Sequence, residues 1–311
     1  MKNCVKKGLI FSIIFTFISS ILLQSVVGDH VLRNHQISSF SHINLNDGET
    51  EYWGVCIVAF DGPYDDIKEP FIYNSLLESD NWDESNLKLL FRENATKIAI
   101  LDALDWLIEK ADENDIVLFS DHSHGAYHWK NKNFGIVPID SEVSGLITVD
   151  ELDEKFDAIK SKGLCLIFDC CLAGNFVNKE TLGIKKIDKI RNFNREFTKG
   201  VEGENRVVLM GTMRYGLGIG MTINVSGKAT HLSFHKFVGE AFGELLDYNE
   251  NDFFSAEEAF KYAKKKWLPY ALMSLLMIRM QINSLLNFGF LIIPFPTLYD
   301  NVQGELPIIN L

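Results

Sequence analysis

Basic side chains are in short supply. Lys and Arg number 30 against 42 Asp and Glu in 311 residues, a formal net charge of −12. So acidic a chain lacks the positive footprint that holds a phosphate backbone, which argues against nucleic acid as its main partner. Cysteine is scarce as well, with five in the chain and no CxxC pair, so neither a disulfide framework nor a structural zinc site of that kind is expected. No Glu lies between His231 and His235, so the zinc-peptidase pattern HExxH is missing too. Apolar residues are plentiful at 47%, enough to exclude global disorder. The mean hydropathy of +0.02 is high for a chain that is 23% charged, so the apolar residues must be gathered in blocks.

The first block follows Lys2, Lys6 and Lys7. It runs from Leu9 to Leu23, broken only by Ser and Thr, and ends near the modest side chains Ser25-Val-Val-Gly28. That order describes a secretory signal peptide over 1–28, or an uncleaved anchor, because Gly8 to Val27 is about long enough to span a bilayer. Either outcome predicts a secreted or cell-surface protein. Residues 29–50 form a polar lead-in.

From Trp53 onward, short apolar runs alternate with helical periodicities, the pattern of βαβ units around a parallel sheet. The predicted strands are Gly54–Ala59, Leu87–Phe91, Ile116–Phe119, Leu164–Phe168 and Val207–Met210; most are continuous, as in strands covered on both faces. Ile98, Leu101, Leu104 and Ile108 predict one helical stripe, and Thr148 with Glu151 a capping box for a helix carrying Leu152, Phe156 and Ile159. Two further helices are expected over 231–246 and 255–267. The domain is therefore drawn over 51–269, with a basic insertion at 179–205 and an apolar C-terminal extension at 270–311. The insertion carries Lys185, Lys186, Lys189, Arg191, Arg195 and Lys199, and reads as an exposed loop. The stretch 270–293 is apolar but contains Arg279, so packing against the domain is favoured over insertion in lipid.

Two strands end in reactive residues. One leads into Ser120-Asp-His-Ser-His-Gly125, the other into Asp169-Cys-Cys-Leu-Ala-Gly174. Ligands of open α/β sheets bind beyond the carboxyl ends of strands, so both clusters face the functional edge. An imidazole near a thiol suggests a nucleophile and its base, because the attacking form is the thiolate. Gly125 and Gly174 let backbone approach a substrate closely. Cys56 and Cys165, within apolar strands, fit buried small hydrophobes instead.

The motifs Val117-Leu-Phe-Ser-Asp-His-Ser-His-Gly125 and Leu166-Ile-Phe-Asp-Cys-Cys-Leu-Ala-Gly174 resemble those of caspase-like cysteine peptidases, on the metacaspase and prokaryotic side of the family. The resemblance runs from about Tyr52 to Trp267. The 47 residues between His124 and Cys171 agree with the roughly 50-residue offset recorded for caspases. It implies a caspase-like three-layer α/β/α sandwich with a mostly parallel central sheet, and an endopeptidase acting on peptides or proteins. His124 would be the base, Cys171 the nucleophile, and the backbone amides of Gly125 and Cys171 the oxyanion hole. Asp169 would line a pocket for a basic P1 side chain, with Asp66 as a second acid, giving cleavage after Arg or Lys. An exposed basic insertion is then a target for self-processing. The chain departs from the family at Cys170, beside the nucleophile, and at His122, two residues before the base; each leaves its partner's assignment open. The Gln-Ala-Cys pattern of caspases is absent.

No cofactor is required for such chemistry, but two metal readings stand beside it. Asp247, Asn249, Asn251, Phe253, Ser255 and Glu258 follow EF-hand spacing, without Gly at the sharp turn, so calcium is an expected candidate ligand. Ser255 and Glu258 equally form a capping box. Asp121, His122, His124, His128, His231 and His235 offer a metal-dependent hydrolase as an alternative function. A catalytically inactive caspase-like binding domain is the other alternative.

Overall fold

The computed structural model describes residues 48–60, 69–128, 133–141, 145–171, 173, 200–212, 221–225, 228–245, 247–281 and 295–311. The signal or anchor segment, the basic cluster 185–199, Asp66 and Gly174 lie outside them. Five of the strands are the apolar runs themselves: β1 (Tyr52–Ala59), β2 (Leu87–Phe91), β3 (Ile116–His128), β6 (Gly163–Asp169) and β7 (Arg206–Met210). They lie in the order β7-β6-β3-β1-β2, all parallel, with β11 (Thr297–Asp300) added antiparallel beyond β7. Between them run α1 (Phe71–Leu77), α2 (Lys97–Lys110), α3 (Val149–Ala158), α4 (Phe234–Glu244) and α5 (Ala256–Gln281).

Side chains alternate across the sheet, so each strand feeds two cores. Val55, Ile57, Val117, Phe119, Leu166 and Phe168 meet the residues of α2 and α3 on one face. Cys56, Leu118, Cys165, Ile167 and Leu209 meet those of α1, α4 and α5 on the other. The result is a three-layer α/β/α sandwich, as the resemblance implied. Burying each such aliphatic side chain contributes about 1.5–3 kcal/mol, which accounts for strands apolar on both faces.

β3 differs from expectation in a way that matters for the site. It does not stop at Phe119; it pairs with β1 and β6 as far as Ser123 and His122, then continues antiparallel to β4 (Asn133–Val137) through His128. β4 in turn pairs with β5 (Ile147–Thr148). The change of partner keeps the polar motif hydrogen-bonded, so the motif sits within a strand and alternates in direction.

Three expectations about helices need correction. The buried stripe of α2 is Ile100, Ala103, Leu104 and Leu107, while Ile98 is 71% exposed; Ile98 sits in the first turn, ahead of the contact with the sheet. The helix drawn from 231 begins at Phe234, capped by Ser233, and His231 lies on β9 (Lys228–Leu232), paired with β8 (Met221–Val225). His231 and His235 are thus not one turn apart on a helix. Finally, α5 runs past Pro269, and the C-terminal segment returns as β11 and as β12 (Pro307–Asn310), which pairs with β10 (Phe253–Ser255). Residues 297–310 are part of the domain, and no boundary falls at 269. The Thr148–Glu151 capping box forms as expected, with Glu151 N on Thr148 Oγ1 at 3.1 Å and Thr148 N on Glu151 Oε2 at 2.7 Å.

Candidate active site

β3 and β6 lie side by side with His122 opposite Asp169, so the two motifs meet at one sheet edge. Alternation then separates neighbouring residues. Cys170 belongs to the core shared with α2 and α3 and is 1% exposed, its thiol pushed well up by burial. Cys171 is half-buried at the surface. His122 and His124 are two apart and share a side of β3, yet His122 is 3% exposed and His124, farther along the strand, is exposed. Burial, then the neighbouring His235 and His231, hold the His122 imidazole well below its ordinary value, so it stays neutral. Cys56 and Cys165 are fully buried, with thiols raised by desolvation.

Gly125 fixes the contact between the motifs. A Cβ there would overlap the carbonyl oxygen of Cys171 and lie 3.1 Å from Cys170 Sγ. Only glycine lets the β3 backbone reach the β6 end so closely. Next to it, Ser123 Oγ donates to Asp121 Oδ2 at 2.8 Å, on the α2/α3 face. Burial, then the nearby Asp169 charge, lift the Asp121 carboxyl to about 8, despite the Ser123 bond that opposes them. It is therefore mainly a neutral acid at pH 7.

Asp169 is 7% exposed and points at the start of α4. Its Oδ2 accepts from His235 N at 2.7 Å, with Ser233 and Phe234 also hydrogen-bonded to the carboxylate. Desolvation raises it to about 6, and those bonds limit the rise. His122 Nε2 lies 3.7 Å from the same oxygen, a contact of a neutral ring with a carboxylate. A side chain at Gly211 would collide with the other oxygen. Behind Asp169 the histidines pack as rings. His122 stacks on His235 at 4.7 Å and 20°, His231 is 5.8 Å from His122, and Ser120 Oγ lies 3.0 Å from His235 Nε2. Sequence reasoning named His231 and His235 only as metal ligands, held His122 open as a competing base as well, and gave no role to Ser120 or Phe60. The period-two spacing of Ser120, His122 and His124 is the signal that groups them.

Among the described residues no group of three His, Cys, Asp or Glu side chains is arranged to hold a metal ion. The side chain of His128 lies outside them. In the 247–258 loop the carboxylates face backbone amides. Asp247 Oδ1 accepts from Asn249 N at 3.1 Å and Glu250 N at 2.6 Å, and its Oδ2 from Asp252 N at 3.2 Å. Glu258 accepts from Tyr248 N at 2.8 Å and Ser255 N at 3.1 Å, and Ser255 Oγ accepts from Glu258 N at 3.1 Å. That is the capping-box alternative, and Phe253 serves as a strand residue opposite Asn310. Asn249 and Asn251 both donate to Glu305 Oε2, at 2.6 and 3.1 Å. Among the described residues no helix is long and apolar enough to cross a membrane.

Residues 67–180, which contain both motifs, match the family described as metacaspase, peptidase C14 domain. Among solved structures, caspase-1 from Spodoptera frugiperda is similar at 10% identity with a TM-score of 0.44, covering 84% of this chain and 90% of that one. Protein GSU0716 from Geobacter sulfurreducens is similar at 11% identity with a TM-score of 0.41, covering 70% of this chain and 89% of that one. No curated protein matches significantly. The family match spans both motifs, so over that part the chain is similar to metacaspase-type peptidase C14 domains.

Proposed function

We propose that the protein is an endopeptidase in which His124 and Cys171 form the catalytic dyad and which cleaves after Arg or Lys. The observation that carries the dyad is the difference in exposure within each pair of candidates. His124 and Cys171 are the members of the two motifs that reach the surface, while His122 and Cys170 are buried with depressed basicity and raised thiol pKa respectively. His124 draws the proton from the Cys171 thiol, and the thiolate attacks the scissile carbonyl. The amides of Gly125 and Cys171 receive the oxyanion, which suits a glycine held against the Cys171 backbone. His124 then protonates the leaving amine and activates the water that clears the acyl-enzyme.

The preference for a basic P1 residue rests on Asp169, a carboxylate beside the nucleophile, with Asp66 as a second acid in the same reading. Turnover of a panel of P1-varied peptides tests it. Wild type is expected to favour Arg and Lys, and Asp169→Asn to lower that preference over Gln by about ten- to a hundredfold. An unchanged Arg-to-Gln ratio would refute the role of Asp169, and an enzyme inert toward the whole panel would favour the non-catalytic binding domain. Running the panel with calcium and with chelator tests the 247–258 loop; calcium-dependent turnover lost in Glu258→Ala is the outcome that supports a cation there. The reading extends to export through residues 1–28 and to self-processing within 185–199. Intact mass spectra of exported wild type and Cys171→Ala protein check both. A start near Gly28 in both, and a cut form in wild type alone, is the expected pattern.

A further inference from the structure

A catalytic histidine is ordinarily oriented by a third group that hydrogen-bonds its second nitrogen. Among the described residues the ring of His124 has no such partner; the recorded hydrogen bond at this residue is from Ser123 Oγ to its backbone carbonyl, at 3.2 Å. Its contact is instead with an aromatic ring. Phe60 follows β1 directly and is half-buried. Its ring centroid lies 4.9 Å from that of His124 and 4.8 Å from that of His122, at 74° to both. These are edge-to-face geometries within the favoured range for aromatic pairs.

What stands behind Phe60 is firm. His122 is buried and stacked on His235, and His235 is tied by Ser120 Oγ at one end and by its own amide to Asp169 at the other. The rings therefore form a ladder, His235–His122–Phe60–His124, leading from the start of α4 to the exposed imidazole. Phe60 is the rung that touches His124. The alternation of β1 and β3 produces it: Ala59 is paired with Ser123, which sets the next residues, Phe60 and His124, side by side.

We propose that Phe60 is a positioning residue for His124, holding the imidazole toward Cys171 by ring packing. The proposal rests on the reading of His124 as the base. An imidazole free to rotate spends less time in the reactive orientation, so the loss is expected in kcat and not in substrate affinity.

The experiment compares wild type with Phe60→Tyr and Phe60→Leu. Leucine fills most of the space without an aromatic face, so it separates positioning from folding. Phe60→Leu is expected to melt close to wild type and keep KM within about twofold, with kcat reduced about tenfold. Phe60→Tyr is expected to restore kcat. Wild-type kcat in Phe60→Leu, or an equal loss in Phe60→Tyr, would overturn the proposal. Proton–carbon NMR of the His124 ring gives a second readout that needs no turnover. Ring-proton shifts displaced in wild type and Phe60→Tyr, and collapsed toward free-histidine values in Phe60→Leu, are expected; unchanged shifts would overturn the contact. An inert wild type with Phe60-dependent ring shifts would refute the peptidase reading while supporting the positioning contact.

Discussion

Alanine in place of Cys171 is expected to abolish peptide turnover, by about a thousandfold or more, while alanine in place of Cys170 leaves kcat within severalfold of wild type. The two thiols are adjacent in sequence and cannot be told apart by motif alone. They are told apart by direction. Cys170 faces the α2/α3 core beside Ala173 and Val201, where burial raises its thiol and suppresses the nucleophilic thiolate. Its truncation removes a small buried group and is expected to cost about 1 kcal/mol of stability, seen as a modestly lower melting temperature. Cys171 is instead half-buried at the surface. Peptide turnover and alkylation by iodoacetamide, measured on both variants, decide the matter. Retained turnover in Cys171→Ala, or its loss in a folded Cys170→Ala, would reverse the assignment.

The second large effect is expected at Gly125. A Cβ there would lie 1.9 Å from the carbonyl oxygen of Cys171, and the obstructing atom is backbone, which no rotamer change can move aside. Alanine there must push the end of β3 away from the end of β6. Overpacking of this kind typically costs about 1–3 kcal/mol, so the domain is expected to melt lower but still fold. Catalysis should suffer more, because the shift displaces the proposed base, nucleophile and oxyanion-hole amides together. A loss of at least about a hundredfold in kcat is expected, against a small change in melting temperature. A Gly125→Ala variant with wild-type turnover would show that the close approach has no catalytic consequence.

The central strands were legible because a strand buried on both faces must be apolar at every position, and β1, β3, β6 and β7 read that way. The two motifs were legible because their residue types carry chemistry and each follows such a run. What escaped was set by long-range pairing. Thr297–Asp300 has too few apolar residues to announce itself, and becomes a strand only because β7 has a vacant edge. Ile98 keeps the helical period of α2, but the sheet meets the helix one residue-row away, so it is left in solvent. His231 and His235 have the spacing of one helical turn, yet Ser233 caps the helix between them. Phe60 carries no chemistry of its own; its importance arises only once β1 lies against β3. Adjacent residues such as Cys170 and Cys171 turn to opposite sides, but His122 and His124 lie two apart and share a side of β3; only depth along a strand that continues past Phe119 tells them apart, His122 being buried and His124 exposed.

The return of the chain at β12 ties the first strand to the last. Tyr52 Oη donates to Asn310 Oδ1 at 3.2 Å, and Trp82 Nε1 donates to the Ile308 carbonyl at 2.8 Å, across 258 and 226 residues of sequence respectively. Ile308 and Ile309 also share a core with α4, whose amide end holds Asp169. On a ribosome, the wall behind the site therefore has nothing to lean on until the segment 297–310 has emerged. Such distant closure is slow, because loop entropy must be lost before the contacts reward it. The topology thus acts as a timer: the nascent domain can assemble its parallel strands early, but gains its finished site only after β12 docks.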